Sequence, residues 1–277
     1  MALRISILDP TGNITALVED ELEIARQPSV AAEIMRRHPE VEQVGFLRAD
    51  GADGLPELRM AGGEFCGNAS MCAAALALLS SGHKDAPACV HLRVSGVSHP
   101  VEVCLTPEGE DRFYAALLMP PALGLEERVF RFDGASASFP LVRLEGISHL
   151  MVEPPSAFFA LLDEREAAEQ AVRCFCEELR AECLGLMFLE GSGADRSLTP
   201  LVFVPGSGTM FWENSCASGS AAAGMYLAAK SGAPVDVTLR EPGGVLRVSC
   251  DPVSFETRLR GGVRLVSRFS EKISESC

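Results

Sequence analysis

Lysine is scarce in this chain of 277 residues. Only three are present: Lys84 and Lys230 lie near predicted helix ends, and Lys272 lies in a polar C-terminal stretch. Pyridoxal phosphate needs a buried lysine to form its Schiff base. None of the three has such a setting, so we expect no cofactor.

The chain also has fewer basic than acidic residues, and it has no long apolar run. Its 38 acidic against 24 basic residues give a net charge of −14, which disfavours nucleic acid and anionic membranes as partners. No apolar run reaches the roughly 18 residues that a transmembrane helix needs. Ten cysteines without an export signal predict a cytoplasmic protein with free thiols.

Metal and nucleotide motifs are missing as well. The five histidines lack the spacing of a zinc site. Cys174 and Cys176 are two residues apart on a predicted helix, where they would not face each other. Gly206-Ser207-Gly208 has no P-loop lysine. We find no Ser-His-Asp signature and expect no metal.

One short pattern occurs twice, 150 residues apart. The first copy is Glu64-Phe65-Cys66-Gly67-Asn68-Ala69-Ser70, and the second is Asn214-Ser215-Cys216-Ala217-Ser218-Gly219-Ser220. In each copy a cysteine is followed by small residues and then by an apolar stretch typical of a buried helix. The repetition predicts two similar halves whose thiols meet across a cleft.

A cysteine at a helix N-terminus has a chemical advantage. The unpaired N–H groups and the helix dipole stabilise a thiolate, which can lower the thiol pKa, and the same N–H groups can bind a carboxylate. Each loop would thus supply a base and part of an anion site. A single such cysteine is more often an ordinary buried thiol. The matched context of Cys66 and Cys216 favours catalysis.

The order of predicted elements indicates an α+β protein. Strands outnumber helices, and groups of strands alternate with single helices, which predicts two pseudo-symmetric halves, each a curled mixed sheet around a buried central helix. The turn at Pro120-Pro121 separates the halves. We predict an N-terminal domain of residues 1–119, completed by a last strand within 262–277, and a C-terminal domain of residues 120–261.

The sequence also predicts one long helix, a last strand and the state of the C-terminal tail. A long amphipathic helix is expected over roughly Pro155 to Glu182. A last strand is expected over Gly262 to Val266, where it could return to the first half. The polar tail from Ser267 is expected to be loose.

Several polar residues are further candidates. His149 begins an apolar strand and is by itself more often structural than catalytic. Asn13 follows Gly12 in a turn, and Gln43 precedes an apolar strand. Glu213 could cap a helix or reach the ammonium group of a ligand.

At these residues the chain resembles the diaminopimelate epimerase superfamily, which consists of two-domain enzymes that work without pyridoxal phosphate. The resemblance places Cys66 and Cys216 in the two catalytic loops. It implies that substrate-binding residues come from both halves: Asn13, Gln43, Gly67, Asn68, His149, Glu213, Ala217 and Ser218. It also allows for a homodimer.

The chain resembles more closely the histidine racemases of staphylopine-type metallophore biosynthesis. The matching stretches include Pro10-Thr11-Gly12-Asn13, Glu42-Gln43-Val44-Gly45-Phe46, Trp212-Glu213-Asn214-Ser215-Cys216 and Pro242-Gly243-Gly244. The Glu-Arg pair with which diaminopimelate epimerases hold the distal end of their substrate is absent from Pro205–Thr209. Ala217 replaces the usual glycine.

The resemblance implies a cofactor-independent amino-acid racemase, an isomerase, with histidine as the expected substrate. One cysteine would remove the α-proton and the other would return a proton to the opposite face. Two alternatives remain at this stage. The chain could act on another amino acid such as diaminopimelate, or it could be a non-catalytic thiol protein with a redox or metal-binding role.

Overall fold

The computed structural model describes residues 2–51, 53–82, 85–206 and 208–273. Lys84, Ser207 and the end of the tail beyond residue 273 lie outside this part of the chain. Two compact units are present: Met1–Leu118 with Arg260–Cys277, and Met119–Leu259. Within the described residues, none of the helices combines the length and the apolar character that a membrane crossing requires.

The first unit contains an eight-stranded closed barrel. Its strands follow the order β1-β2-β3-β4-β5-β6-β7-β16, and β16 pairs with β1 to close the ring. The strands are β1 (Ala2–Asp9), β2 (Thr15–Val18), β3 (Gln43–Arg48), β4 (Glu57–Met60), β5 (Ala88–Val94), β6 (Val101–Gly109), β7 (Arg112–Leu118) and β16 (Thr257–Lys272). The helices are a 3-10 turn at Ile24–Arg26, α1 (Gln27–Arg37) and α2 (Gly67–Ser81).

Helix α2 is the most deeply buried helix of this unit. It is apolar on all sides, so exposing any face to solvent would cost free energy. It contacts β2, β4, β5, β6 and β7. Cys66 caps its N-terminus, and Gly82, with a φ of 75°, ends it in the left-handed conformation. The buried helix therefore fixes the position and direction of the Cys66 loop.

The second unit is a mixed sheet in the order β8-β9-β10-β11-β12-β14-β15, with β13 paired to β12. The strands are β8 (Gly124–Phe132), β9 (Ala135–Leu144), β10 (Ile147–Val152), β11 (Leu184–Ser192), β12 (Asp195–Val204), β13 (Thr209–Trp212), β14 (Val235–Glu241) and β15 (Gly244–Cys250). The helices are a 3-10 helix at Ala157–Leu162, α3 (Arg165–Leu179) and α4 (Ala217–Ser231).

The two helices of this unit pack differently. Helix α4 is buried along most of its length and contacts β9, β10, β11, β14 and β15. Helix α3 is amphipathic and packs its apolar side on β11 and β12. Phe175 of α3 lies against Phe130, Phe139 and Phe158, with ring centroids 4.5–6.3 Å apart. This aromatic cluster forms the centre of the second core.

The predicted long helix over Pro155 to Glu182 is wrong in its extent. The structure has a 3-10 helix at Ala157–Leu162 and a separate α-helix at Arg165–Leu179. Glu164, with φ −119° and ψ 69°, is not helical and interrupts the two. The amphipathic pattern continues through the break, so periodicity alone does not reveal it.

The first hairpin of the second unit, β8–β9, was not predicted. Its turn is Asp133-Gly134, and both residues have a positive φ (47° and 76°). Two consecutive positive φ values identify a type I′ turn, for which Asp-Gly is a preferred pair. The turn signal was therefore present in the sequence, although charged residues fill the alternating pattern of β8.

The last strand is longer than predicted. Strand β16 runs over Thr257–Lys272, so the expectation of a loose tail from Ser267 is wrong as far as Lys272. The reason is pairing: Ser267–Lys272 lies antiparallel to Ala2–Ile7 of β1. A polar strand is held here by backbone hydrogen bonds to a partner that is distant in sequence.

The expectation of free thiols is wrong for one pair of cysteines. Cys89 of β5 and Cys104 of β6 are joined by a disulfide, with their Cα atoms 3.9 Å apart. They face each other directly across the two strands. The bond depends on strand register, which cysteine spacing alone does not give. The other seven cysteines of the described chain form no disulfide.

Candidate active site

Cys66 lies immediately before α2 and caps it. Its backbone is extended (φ −132°, ψ 114°), and its Sγ accepts a hydrogen bond from the N–H of Ala69 at 3.4 Å. Gly67 and Asn68, the first two residues of the helix, are buried. The sulfur therefore stands at the positive end of the helix dipole, next to N–H groups that can bind an anion.

A chain of amide side chains leads to the Cys66 thiol. The Sγ donates to Gln43 Oε1 at 3.0 Å. The Gln43 amide in turn donates to Thr15 Oγ1 at 2.8 Å and to Asn13 Oδ1. Asn13 Nδ2 donates to Glu42 Oε2 at 2.8 Å. Because both donors of its amide are engaged, Gln43 presents its carbonyl oxygen to the sulfur.

Strand pairing creates this chain of contacts. Strands β2 and β3 are parallel, and their register places Thr15 opposite Gln43. Asn13 lies in the turn just before β2 and is buried. The structure thus brings the predicted residues Asn13, Gln43 and Cys66 together within the first unit.

Cys216 caps α4 with the same geometry. Its φ and ψ are −125° and 101°, and its Sγ accepts from the N–H of Gly219 at 3.4 Å. The donor is again the third residue after the cysteine. Ala217 and Ser218 are the first two residues of α4, and both are buried.

A second, different network surrounds Cys216. Its Sγ lies 3.6 Å from Ser218 Oγ, and that hydroxyl is hydrogen-bonded to His149 Nε2 at 3.0 Å. His149 is fully buried on β10, and burial lowers its pKa to about 3. The imidazole is therefore neutral at physiological pH, and the Ser218 hydroxyl links it to the thiol.

A glycine makes room for this imidazole. Gly185 of β11 is paired with His149 of β10. A Cβ atom at position 185 would overlap the His149 Nδ1 atom and crowd Met187. Glycine at this position therefore leaves room for the ring beside the neighbouring strand.

Glu241 binds the Cys216 loop through two hydrogen bonds. Its carboxyl group accepts the backbone N–H of Cys216 at 2.6 Å and the hydroxyl of Ser220. It is buried at the end of β14, and burial raises its pKa to about 8. Glu241 and Ser220 were not predicted as members of the site. The one sequence feature that could have indicated Glu241 is its position directly before the Pro242-Gly243-Gly244 motif.

The electrostatics of Cys216 contradict the expectation of a lowered pKa. Burial raises the pKa of its thiol well above the usual range, and the nearby Glu213 and Glu241 carboxyl groups raise it further. Ser218 acts in the opposite direction, because its hydroxyl can donate to the thiolate. Burial and acidic neighbours thus outweigh the helix N-terminus, and Cys216 is held as a thiol.

The arrangement in each unit suits proton transfer at carbon. Each loop combines a sulfur acid or base with the N–H groups of a helix start, which can hold a carboxylate. Within the first unit the polar partners are Asn13, Gln43 and Asn68. Within the second they are His149, Glu213 and Ser218. Thr15 and Glu42 extend the first network, although the sequence reading did not include them.

Comparison with known proteins also indicates proton transfer at the carbon of an amino acid. The profile described as "Histidine racemase CntK N-terminal domain" matches residues 3–268. A histidine racemase of Fusobacterium nucleatum subsp. nucleatum is 30% identical over 239 residues, covering 82% of this chain and 83% of the relative. A histidine racemase of Staphylococcus aureus is 27% identical over 274 residues, covering 96% of each chain.

Solved structures share the fold. A hydroxyproline epimerase from Agrobacterium vitis, with bound trans-4-hydroxy-L-proline, superposes with a TM-score of 0.68 at 12% identity, covering 98% of this chain and 92% of that one. A probable proline racemase from Agrobacterium radiobacter has a TM-score of 0.66 at 15% identity, covering 99% and 93%. A predicted epimerase from Pseudomonas aeruginosa has a TM-score of 0.66 at 17% identity, covering 98% and 99%.

At 12–17% identity, these structures show the fold alone. Their names are those of proline racemases and epimerases rather than of diaminopimelate epimerases, whereas the predicted resemblance to histidine racemases is confirmed. The profile covers nearly the whole chain, and the Fusobacterium relative reaches 30% identity over most of both sequences. The chain belongs to the histidine racemase family of isomerases.

Proposed function

We propose that this protein is a cofactor-independent histidine racemase in which Cys66 and Cys216 are the two acid–base groups. The observation that carries the proposal is the repeated cap. In both loops the cysteine Sγ accepts the N–H of the third residue that follows, at 3.4 Å, at the start of a buried helix. The named relatives supply the substrate, since they are histidine racemases.

The proposed reaction transfers protons on opposite faces of one carbon. One cysteine, as thiolate, takes the α-proton and becomes a thiol. The other, as thiol, delivers its proton to the opposite face of the carbanion and becomes the thiolate. The roles exchange for the reverse direction, so the mechanism requires both sulfurs to reach the same α-carbon.

The helix starts would stabilise the charge that develops. Loss of the α-proton moves negative charge onto the substrate carboxylate, and N–H groups fixed at a helix N-terminus stabilise that charge without reorganisation. Gly67 and Asn68 begin one helix, and Ala217 and Ser218 begin the other. We assign these four residues to carboxylate binding.

The remaining polar residues would orient the substrate and the thiols. Gln43, held by Asn13, fixes the Cys66 thiol through its carbonyl oxygen. Glu213 lies close enough to Cys216 to raise its pKa, and its carboxylate suits the α-ammonium group of an amino acid. His149 positions Ser218.

We also propose the predicted pseudo-symmetric division into domains. It assigns residues 1–119 and 262–277 to one domain and 120–261 to the other. The two compact units, which divide after Leu118 and after Leu259, support it. So does the likeness between α2 and α4, each capped by a cysteine and packed on the strands of its own unit.

The test is a screen of L-amino acids in D2O with reductant present, followed by proton NMR. We expect the α-proton signal of histidine to disappear and D-histidine to form. Exchange of another amino acid instead, such as diaminopimelate, would show a different racemase. Absence of α-exchange with every amino acid would overturn the proposal and favour a non-catalytic thiol protein with a redox or metal-binding role.

A further inference from the structure

Four side chains with metal-binding atoms share the outer face of the β5–β6 hairpin. Cys89 is paired with Cys104, and His91 is paired with Glu102. Side chains two residues apart on a strand point to the same side of a sheet, so all four project together. The intervening residues, such as Val103, are buried on the opposite face. The quartet therefore lies on the side of the hairpin that is turned away from α2.

Three of the four residues bring their ligand atoms close together, and the fourth lies beside one of them. The sulfurs of Cys89 and Cys104 and a carboxylate oxygen of Glu102 all lie within 4.8 Å of one another. The Nε2 atom of His91 is 3.5 Å from Glu102 Oε2. Tetrahedral Zn²⁺ with bonds of about 2.0–2.3 Å separates its ligand atoms by roughly 3.3–3.8 Å. The two sulfurs are bonded to each other in the structure, so they can reach this separation only after reduction.

The surroundings leave space for an ion. Cys89 is exposed, Glu102 and Cys104 are partly exposed, and His91 is 54% exposed. On the other side of Cys104, the paired residue of β7 is Ala116, whose side chain is too small to block access. Solvent can therefore reach the quartet without any rearrangement of the barrel.

The disulfide decides whether the sulfurs can serve as ligands. In the structure they are bonded to each other, and a disulfide sulfur is not the thiolate that zinc prefers. We propose that the reduced Cys89–Cys104 pair, together with His91 and Glu102, binds a zinc-like divalent cation, and that the disulfide excludes it. This site would couple metal binding to the redox state of the hairpin.

The chemistry balances with a dithiol as the reductant. Two thiol–disulfide exchange steps transfer two electrons and two protons to the protein, which gives two cysteine thiols while the dithiol becomes a cyclic disulfide. Binding of Zn²⁺ then displaces the two thiol protons to solvent and forms two Zn–S bonds. When a two-electron oxidant such as diamide converts the two thiolates to the disulfide, the ion loses both sulfur ligands and is released.

The experiment measures zinc directly and does not depend on racemase activity. The full-length protein is reduced with dithiothreitol, freed of the reductant without air, and titrated with ZnCl2, with bound zinc measured after gel filtration. We expect one ion per chain for the reduced protein. For a sample oxidised with diamide, we expect affinity for this site to fall by at least tenfold. Co²⁺ should give the intense visible bands of a tetrahedral thiolate site.

Variants with substituted ligands test which residues bind the ion. Cys89→Ser/Cys104→Ser should lose it. His91→Ala/Glu102→Gln, which keeps both cysteines, should bind it at least tenfold more weakly even if the first variant folds poorly. The matched control is Cys174→Ser/Cys176→Ser, which removes another closely spaced pair, on α3, and should bind zinc like the wild type. Circular dichroism verifies the fold.

Three results would overturn the inference. The reduced wild type could bind no zinc. The Cys89→Ser/Cys104→Ser protein could bind it as tightly as the wild type. Binding could instead disappear in Cys66→Ser/Cys216→Ser, which would place the ion at the proposed catalytic thiols.

Discussion

The two cysteine loops share a backbone conformation and differ in the side chains that surround the sulfur. Both thiols cap a buried helix and accept the N–H of the third following residue. Cys66 is partly exposed and donates to the Gln43 amide. Cys216 is buried next to the carboxyl groups of Glu213 and Glu241. A repeated local motif thus sets the position of each sulfur, while burial and the carboxyl groups of Glu213 and Glu241 raise the pKa of the Cys216 thiol.

This difference has a mechanistic consequence. In the proposed mechanism the two thiols need not be equivalent in the free protein, provided that one carries a proton when the other does not. Burial and acidic neighbours keep the proton on Cys216. We therefore expect Cys216 to be the proton donor of the resting enzyme.

The largest effect is expected from removing either sulfur. Serine keeps a helix cap but is a far weaker acid than cysteine. Cys66→Ser and Cys216→Ser should therefore each lower kcat/KM for histidine racemisation by about 10²–10⁴-fold, the usual contribution of a general acid or base. Polarimetry measures the rate. Cys250→Ser, which removes another free thiol of the second unit, should remain active, and similar losses in all three variants would contradict the assignment.

The next effect concerns stability and belongs to the second loop alone. Burial raises the pKa of Glu241 from 4.5 to about 8. A carboxyl group whose folded-state pKa is raised contributes stability below pH 4.5, and that contribution is lost as the pH rises through about 8. At about 1.4 kcal/mol per pKa unit, the loss is at most on the order of 5 kcal/mol.

Urea unfolding under reducing conditions at pH 5 and pH 8.5 measures this loss. Glu241→Gln keeps an acceptor for the Cys216 N–H and cannot ionise, so its unfolding free energy should decrease less with pH than that of the wild type. Equal pH dependence in the two proteins would show that Glu241 does not titrate as described.

A smaller effect is expected in the first loop. Gln43→Leu keeps the volume and removes the oxygen that accepts from the Cys66 thiol. Net hydrogen-bond contributions of about 1 kcal/mol predict a fall in kcat/KM of roughly five- to tenfold. Gln27→Leu is the matched control, because Gln27 is a buried glutamine of the same unit whose amide donates to the Leu22 carbonyl oxygen. Equal loss in both variants would indicate a general structural effect.

The smallest effect is a pair of opposite pH shifts. Glu213 raises the pKa of Cys216 and Ser218 lowers it. In the reaction direction that uses Cys216 as base, the rising limb of kcat/KM against pH should move to lower pH in Glu213→Gln. It should move to higher pH in Ser218→Ala, each by less than about one unit. Shifts of the same sign would refute the electrostatic account of this loop.

Local patterns in the sequence predicted the parts of the fold that depend on local structure. The cysteine followed by small residues correctly indicated the starts of α2 and α4. The Asp133-Gly134 turn could have revealed β8 and β9, because that pair favours the type I′ conformation. The extension of β16 to Lys272 could not be read from its polar residues, since it depends on pairing with β1.

The candidate site likewise contains residues that the sequence predicted and residues that it did not. Asn13, Gln43 and His149 were predicted because they match a family pattern, and the structure places them in the hydrogen-bond networks of the two thiols. Glu241 lies 25 residues after Cys216 and reaches its N–H only because β14 ends beside the α4 start. The raised pKa of Cys216 likewise follows from burial, which sequence spacing does not report.

The most direct test of the two-base account is the stereochemistry of exchange in D2O. A variant with one sulfur can still remove and return a proton on its own face. Cys66→Ser should therefore deuterate one enantiomer of histidine without inverting it, and Cys216→Ser should deuterate the other. If both variants exchange the same enantiomer, or if either one still racemises histidine at the wild-type rate, the two sulfurs do not serve opposite faces of one carbon.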